Sequence, residues 1–138
     1  MSSGPHRGDR TRLTHTGRGG TRHHGIVNPP IYQASTVTHP DVATLRESMK
    51  FPDRFVTYGR RGTPTTFALQ DAIAALEGAG STLLVPSGLA AITVALLASV
   101  GPGDHLLVTD SAYAPARTFC DTTLKQLGVE VTYYDPLK

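Results

Sequence analysis

Cysteine is scarce in this sequence, and long apolar runs are missing from it. The only cysteine, Cys120, has no second cysteine in the chain for a disulfide and none nearby for a metal site, which is typical of a reducing compartment. No run approaches the roughly 20 apolar residues of a membrane span, and the N-terminus lacks the apolar segment of a signal peptide. We therefore expect a cytoplasmic protein with no membrane partner.

The overall composition excludes a disordered chain. The 138 residues are 39% hydrophobic and 17% charged, with a formal net charge of +2. A chain of about 150 residues typically buries roughly 70% of the surface that its unfolded form exposes, so this length suffices for a core. One globular unit is the expectation.

Positive charge is concentrated at the N-terminus. The first 24 residues contain one acidic residue, Asp9, and nine Arg and His residues: Arg7, Arg10, Arg12, Arg18 and Arg22 with His6, His15, His23 and His24. This Gly-rich segment is expected to be a flexible, solvated arm, although a basic arm can also bind nucleic acid or an acidic partner. Because no aromatic residues alternate with the arginines, and the histidine pair has no spaced Cys, Asp or Glu partners, we expect neither a nucleic-acid site nor a metal site.

The middle of the chain changes from an extended to a helical pattern. The paired prolines and β-branched residues of "IVNPPIYQASTV" favour an extended segment. "HPDVATLRESMKF" predicts a short helix that is capped by Asp41 and ends before the next proline. The helix that follows carries apolar residues at i, i+4 and i+7; Thr65 or Thr66 can cap it, and Gly78 and Gly80 end it.

Helix and strand patterns alternate through the second half of the chain. "STLLVP", "HLLVTD" and "VEVTYYD" predict strands, "SGLAAITVALLASV" predicts a helix that is apolar nearly all round, and "PARTFCDTTLKQLG" predicts an amphipathic helix. This order predicts an α/β fold with a mostly parallel sheet and helices on both faces. We expect the apolar helix to be sandwiched rather than exposed.

Three stretches suit a ligand that carries a phosphate and a flat ring. In "VPSGLAA" a strand runs through Ser87 and Gly88 into a helix, whose first N–H groups suit an anion; an ordinary N-cap is the alternative. Tyr113 follows the next strand at the same edge of the sheet, where it can stack on a heterocycle or pack against the next helix. In "TYGRRGT", Arg60 and Arg61 offer cationic forks to phosphate or carboxylate, unless they are solvated surface side chains.

These segments resemble, in order, the Cys/Met-metabolism family of pyridoxal-phosphate (PLP) enzymes. The resemblance rests on "NPPIYQASTV", "YGRRGTPTTFALQDAIAALEG", "VPSGLAA" and "GDHLLVTDSAYAPARTFCDTTLKQLGVEVTYYDPL" and covers residues 14–138. "YGRRGT", "AYAPARTFC" and "YYDPL" are most similar to its cystathionine β-lyase branch. The resemblance implies the N-terminal part of an aminotransferase-like (fold type I) large domain, with residues 1–64 as the arm and cofactor-phosphate loop and residues 65–138 as the first part of the PLP-binding α/β domain.

The resemblance also implies the residues that bind PLP. Tyr58 and Arg60 would reach the PLP phosphate of the neighbouring subunit in a homodimer that is part of a tetramer. Gly88 and Leu89 would bind that phosphate through backbone N–H groups, with Leu89 standing where the family usually has Met. Tyr113 would stack on the pyridine ring and act in proton transfer.

The implied reaction is β-elimination from cystathionine, a sulfur amino acid, to homocysteine, pyruvate and ammonia. Arg61 matches a position close to the substrate, where it would contact a carboxylate. The chemistry also needs a lysine that attaches PLP, and Lys50, Lys125 and Lys138 all stand outside the family's lysine context. We therefore expect an N-terminal portion of a longer enzyme, inactive by itself.

Two alternatives remain open at this level. The chain can belong to another branch of the family, such as cystathionine γ-synthase, cystathionine γ-lyase or cysteine desulfhydrase. It can also be a noncatalytic phosphate- or nucleotide-binding module, in which Arg60 and Gly88 hold an anion and no covalent chemistry occurs.

Overall fold

A computed structural model of the chain describes residues 8–18, 24–52 and 55–138. The chain divides into two compact units, an N-terminal unit (Met1–Leu84) and a C-terminal unit (Val85–Lys138). Within the described residues, no helix combines the length and the apolar character that a membrane crossing requires.

The N-terminal unit contains three helices in its described residues: α1 (Asp9–His15), α2 (Val42–Lys50) and α3 (Pro64–Glu77). Helix α2 begins as the sequence predicted, because the carboxylate of Asp41 accepts a hydrogen bond of 2.7 Å from the N–H of Thr44.

Helix α3 begins two or three residues earlier than its sequence pattern indicated. The N–H of Thr63 donates to Oγ1 of Thr66 over 2.7 Å, so Thr63 is the N-cap and Pro64 is the first helical residue. The predicted cap at Thr65 or Thr66 is therefore wrong, since a proline at the first helical position has no N–H to lose. The predicted end is confirmed: Gly78 adopts a left-handed conformation with φ of 66°.

Part of the basic N-terminal segment is helical, which corrects the expectation of a flexible arm for these residues. The guanidinium of Arg12 in α1 donates to the carbonyl oxygen of Ala75 over 2.6 Å, and α1 packs against α3. A cation is favourable there because the last carbonyl groups of a helix lack partners and carry the negative end of its dipole. Residues 1–7 and 19–23 of the predicted arm lie outside the described residues.

The predicted extended segment is confirmed and crosses the start of α3. The hydroxyl of Thr65 donates to the carbonyl of Pro30 over 2.7 Å and accepts from the N–H of Tyr32 over 2.8 Å. Further on, Thr36 forms an antiparallel bridge with Tyr58. One threonine side chain of α3 thus holds the extended segment in place.

The C-terminal unit contains α4 (Gly88–Ser99), β1 (His105–Thr109), α5 (Ala114–Phe119) and β2 (Glu130–Tyr134). Strands β1 and β2 pair in parallel, as the strand-helix-strand pattern predicted.

The core of the C-terminal unit lies under this two-stranded sheet. After Phe119 the backbone of α5 continues as a π-helical turn, Cys120–Leu124, where the sequence predicted one uninterrupted helix. Cys120, Leu124 and Val129 are buried, and partly buried residues of α4, β1 and β2 pack against them.

Two expectations for this region are wrong. Residues 81–86 form no strand, and α4 has no buried residue although its sequence is apolar nearly all round. Leu83 is 70% exposed and Leu97 is 49% exposed. A strand exists only through hydrogen bonds to a neighbouring strand, and an apolar helix is covered only where another element packs on it. Within the described residues, residues 81–86 have no neighbouring strand, and α4 is covered only in part, where Leu96 packs against the core of the C-terminal unit.

Candidate functional site

Tyr58, Arg60 and Arg61 lie together on one turn just before α3. The N–H of Arg61 donates to the carbonyl of Tyr58 over 2.9 Å, which closes the turn. The guanidinium carbon of Arg60 lies 6.0 Å from the centroid of the Tyr58 ring, at the outer limit of a cation-π contact. The structure therefore groups three of the residues that the sequence singled out.

The first anchor of this turn is the extended segment at residues 34–36. The N–H of Gly59 donates to the carbonyl of Ser35 over 2.7 Å, and the Ser35 hydroxyl lies 3.3 Å from the Tyr58 hydroxyl. A Cβ atom on Gly59 would overlap the carbonyl of Ala34. The role of Ser35 was not predictable from the sequence, because no local pattern links positions 23 residues apart.

The second anchor of the turn is Gly62. Its φ of 147° is rarely adopted by residues with a side chain, and a Cβ atom there would overlap the ring of Phe67. The two arginines are thus flanked by two glycines whose positions are fixed by close backbone and ring contacts. This arrangement limits where the guanidinium groups can go.

Arg60 and Arg61 line an open cleft of about 1200 Å³ within the N-terminal unit. Both side chains are exposed. In the part of the chain that the structure describes, neither guanidinium forms an ion pair with a carboxylate. Because an unpaired guanidinium suits phosphate and carboxylate oxygens, the cleft is a candidate anion site.

The first turn of α4 fits both interpretations of "VPSGLAA", an ordinary N-cap and an anion site. Ser87 is an N-cap, since its hydroxyl accepts from the N–H of Ala90 over 3.1 Å. The N–H groups of Gly88 and Leu89 have no hydrogen-bond partner among the described residues, and open space surrounds Gly88. Two backbone donors at the positive end of a helix dipole therefore remain available to an anion.

Tyr113 stands between β1 and α5 with its ring accessible. The residue is 60% exposed, so the next helix does not cover it. Its carbonyl accepts from the N–H groups of Ala116 and Arg117, which fixes its backbone at the start of α5. An accessible aromatic ring on a fixed backbone suits stacking on a planar ligand.

The site residues divide between the two units. Tyr58, Arg60 and Arg61 belong to the N-terminal unit, and Gly88, Leu89 and Tyr113 belong to the C-terminal unit. Each group is held by contacts within its own unit.

All three lysines of the chain lie in surface ion pairs. The pairs are Lys50 with Glu47 at 2.8 Å, Lys125 with Asp121 at 2.9 Å and Lys138 with Asp135 at 3.3 Å. The hydrogen bond that Lys125 donates to the carboxylate of Asp121 raises the pKa of Lys125. A lysine that attacks a carbonyl must lose its proton, so its pKa has to be lowered rather than raised. The described residues therefore offer hydrogen-bond donors for an anion and an aromatic ring that fit PLP, but none of the three lysines is suited to attach it covalently.

Comparison with known proteins gives the family. The chain matches the Cys/Met metabolism PLP-dependent enzymes over residues 10–138. A protein of Rhizobium johnstonii named as a putative cystathionine beta-lyase is 55% identical over 129 residues, which are 94% of this chain and 32% of that protein.

Solved structures agree with this match. The metB protein of Corynebacterium glutamicum superposes with a TM-score of 0.80 at 32% identity, covering 94% of this chain and 32% of that one. A cystathionine gamma lyase of Micromonospora echinospora gives a TM-score of 0.75 at 32% identity, covering 94% of this chain and 31% of that one. These likenesses confirm the expected fold class, part of the large domain of a fold type I PLP enzyme. The chain spans 32% of the length of its Rhizobium relative, and it belongs to the Cys/Met metabolism family of PLP-dependent enzymes.

Proposed function

We propose that this chain forms the phosphate-binding part of the PLP site in a carbon-sulfur lyase of the cystathionine β-lyase type. The observation that carries the proposal is the anchored turn that presents Arg60 and Arg61 to an open cleft, with no carboxylate partner for either among the described residues. The PLP dependence of the family supports the cofactor. The name of the Rhizobium relative, 55% identical to this chain, favours the β-lyase branch.

The phosphate of PLP is the group that most of these residues would hold. The free N–H groups of Gly88 and Leu89 would donate to it at the start of α4. Tyr58 and Arg60 would add a hydroxyl donor and a charge-assisted fork from the partner subunit of a homodimer, itself part of a tetramer.

Tyr113 and Arg61 would act on the substrate side of the same site. Bound PLP supplies an electron sink for the negative charge that develops on the Cα of an amino acid. The ring of Tyr113 would cover the pyridine, and its hydroxyl would hold or pass a proton near that Cα. Arg61 would orient the carboxylate of a sulfur amino acid such as cystathionine.

The lyase reaction would need a lysine that this chain does not supply. Because Lys50, Lys125 and Lys138 are all held in surface ion pairs with carboxylates, we expect the 138-residue chain to release no pyruvate from cystathionine. Pyruvate release by the chain alone would overturn this part of the proposal.

The phosphate assignment is tested by ligand binding to the chain. We expect PLP to bind more tightly than pyridoxal, which lacks the phosphate, and Arg60→Ala to reduce PLP affinity about tenfold or more, as for the loss of a hydrogen bond with a charged partner. Arg46→Ala, which removes an exposed arginine from α2 in the same unit, is the matched control and should bind PLP normally. Equal affinity for PLP and pyridoxal would contradict the assignment, and tight binding of a nucleotide but not of PLP would favour a nucleotide-binding module.

Whether Arg60 acts on the cofactor of the partner subunit is tested by activity, which needs a complete active site. A fusion of this chain with the C-terminal two thirds of the Rhizobium relative would supply it. Arg60→Ala and Tyr113→Ala variants of the fusion should each lose most activity, and mixing them should restore part of it, because each mixed dimer regains an intact site. If mixing restores nothing, Arg60 serves its own subunit.

A γ-lyase is the second candidate, favoured by the structural likeness to the Micromonospora enzyme. The two activities differ in which carbon-sulfur bond of cystathionine is cleaved. The same fusion separates them, since β-elimination releases pyruvate and γ-elimination releases 2-oxobutyrate.

A further inference from the structure

The short turn between β1 and α5, residues 110–113, carries Tyr113. Only the first residue of the turn, Asp110, is hydrogen-bonded to β2. The N–H of Asp110 donates to the carbonyl of Tyr134 over 2.9 Å. Farther along, the N–H of Ala112 donates back to Thr109 over 3.1 Å, within the turn itself. Among the described residues, no strand pairs with the three residues that follow Asp110, and α5 bonds only the last of them, at the carbonyl of Tyr113. The orientation of the Tyr113 side chain therefore depends on other contacts that the turn makes.

Arg117 joins both ends of the turn. Its guanidinium donates to the carbonyl of Asp110, seven residues earlier. Its backbone N–H donates to the carbonyl of Tyr113 over 3.1 Å. One residue of α5 thus bonds the first residue of the turn through its side chain and the last through its backbone.

Tyr133 of β2 fixes the direction of the Arg117 side chain. The guanidinium carbon lies 4.1 Å from the centroid of the Tyr133 ring, well inside the range of a cation-π contact. The Tyr133 hydroxyl lies 3.3 Å from the Arg117 carbonyl and donates to it. Both residues are half-buried, and the guanidinium that stacks on the Tyr133 ring is the same group that bonds the turn.

The charge of Arg117 is not used in an ion pair within the described residues. Asp121, one helical turn further on, is paired with Lys125 at 2.9 Å. The hydrogen-bonding capacity of Arg117 is directed at a backbone carbonyl in the turn instead. The Asp110 residue is exposed, so losing this bond is expected to loosen the turn without exposing the core.

We propose that Arg117 is a positioning residue for Tyr113: stacked on Tyr133, it fixes the turn at residues 110–113 and so sets where the Tyr113 ring meets the cofactor. The inference rests on the proposed role of Tyr113 in the PLP site. A planar guanidinium is required, because the same group has to stack on a ring and donate in its own plane. An ammonium group in its place would keep the charge but lose this geometry.

Amide hydrogen exchange on the 138-residue chain tests the first half of this proposal without any cofactor. Arg117→Ala and Arg117→Lys should speed exchange at Asp110 and Ala112 about tenfold or more, the size expected for losing a hydrogen bond with a charged donor. Exchange in the core around Leu124 should not change. Thr118→Ala, on the exposed side of the same helix, is the matched control and should leave all these rates unchanged. Unchanged rates at Asp110 and Ala112 in Arg117→Ala would overturn the proposal.

The second half is tested by the circular dichroism that PLP acquires on binding. Tyr113→Ala and Arg117→Ala should both weaken this signal, while competition by inorganic phosphate should show unchanged affinity for the phosphate group. A normal signal in Arg117→Ala beside a weakened one in Tyr113→Ala would overturn the positioning role. A normal signal in Tyr113→Ala would instead overturn the proposed function of Tyr113, and the exchange rates would still decide whether Arg117 fixes the turn.

Discussion

The carbonyl group of Ala34 occupies the space that a side chain on Gly59 would need. The two backbones approach this closely because the N–H of Gly59 donates to Ser35, the next residue along the extended segment, over 2.7 Å. The turn that carries Tyr58, Arg60 and Arg61 is therefore built against residues more than 20 positions earlier in the chain, and its shape depends on the absence of one side chain.

Gly59→Ala is expected to destabilise the N-terminal unit by at least the roughly 1–3 kcal/mol typical of overpacking, because the obstacle is backbone and cannot rotate away. PLP affinity should fall with it, since the arginines move with the turn. Gly80→Ala is the matched control: a Cβ atom there meets nothing within 4 Å, so the same methyl group should be tolerated. Urea unfolding measures both, and equal midpoints for the two variants would contradict the close approach.

Ser87→Ala is expected to lower the free energy of unfolding by about 1 kcal/mol, because the N–H of Ala90 loses its capping partner. Ser99→Ala at the other end of α4 is the control. The Ser99 hydroxyl only bonds back to the carbonyl of Ala95 in its own helix, so its loss should be nearly neutral. Thermal unfolding followed by circular dichroism compares them, and a larger effect at Ser99 would show that the cap is not formed.

The cap of α2 is expected to weaken in acid. Hydrogen bonds from Thr44 hold the pKa of Asp41 below its ordinary value. A carboxyl with a lowered pKa stabilises the fold above its unfolded pKa and loses that contribution as the pH falls through its folded pKa. Protection of the Thr44 amide, measured as its exchange rate relative to an unprotected amide at the same pH, should therefore fall below about pH 4, near the ordinary pKa of an aspartate. Asp41→Asn keeps a capping oxygen that does not titrate, so in this variant protection of the Thr44 amide should not change near pH 4. If the change persists, another group causes it.

Cys120 is expected to resist thiol reagents until the C-terminal unit unfolds. The residue is 2% exposed, and burial, the largest cause, raises the pKa of its thiol. The thiolate is the reactive form, so both access and ionisation are reduced at neutral pH. Labelling with a chromogenic disulfide should be slow in buffer and fast in urea, with the change following the loss of β1 and β2 signals. Fast labelling in buffer would mean that the core around Leu124 is open.

Features that depend on neighbours in sequence were predicted well. Asp41 caps α2, Gly78 ends α3 and Ser87 caps α4, each through a hydrogen bond or a backbone conformation that involves residues within four positions. The N-cap of α3 was predicted wrongly at Thr65 or Thr66. Three nearby threonines have the same hydroxyl group, and only the backbone conformation shows that the cap is Thr63.

Features that depend on distant partners were not predictable from local patterns. Residues 81–86 have the composition of a strand, yet a strand needs a partner to bond, and the described chain offers none. Helix α1 came from a segment that looked like a solvated arm, because its stabilising contact, Arg12 with Ala75, joins residues 63 positions apart.

The candidate site shows the same division. The sequence by itself determined which chemical groups are present: two adjacent arginines between glycines, a Ser-Gly helix start, and a tyrosine after a strand. Only the tertiary structure decided how they are held, because Ala34 and Ser35 against Gly59, and Tyr133 against Arg117, are contacts between segments that lie far apart in the chain. Residue types set which interactions are possible, whereas packing and hydrogen bonds between distant segments set the positions at which those groups can act.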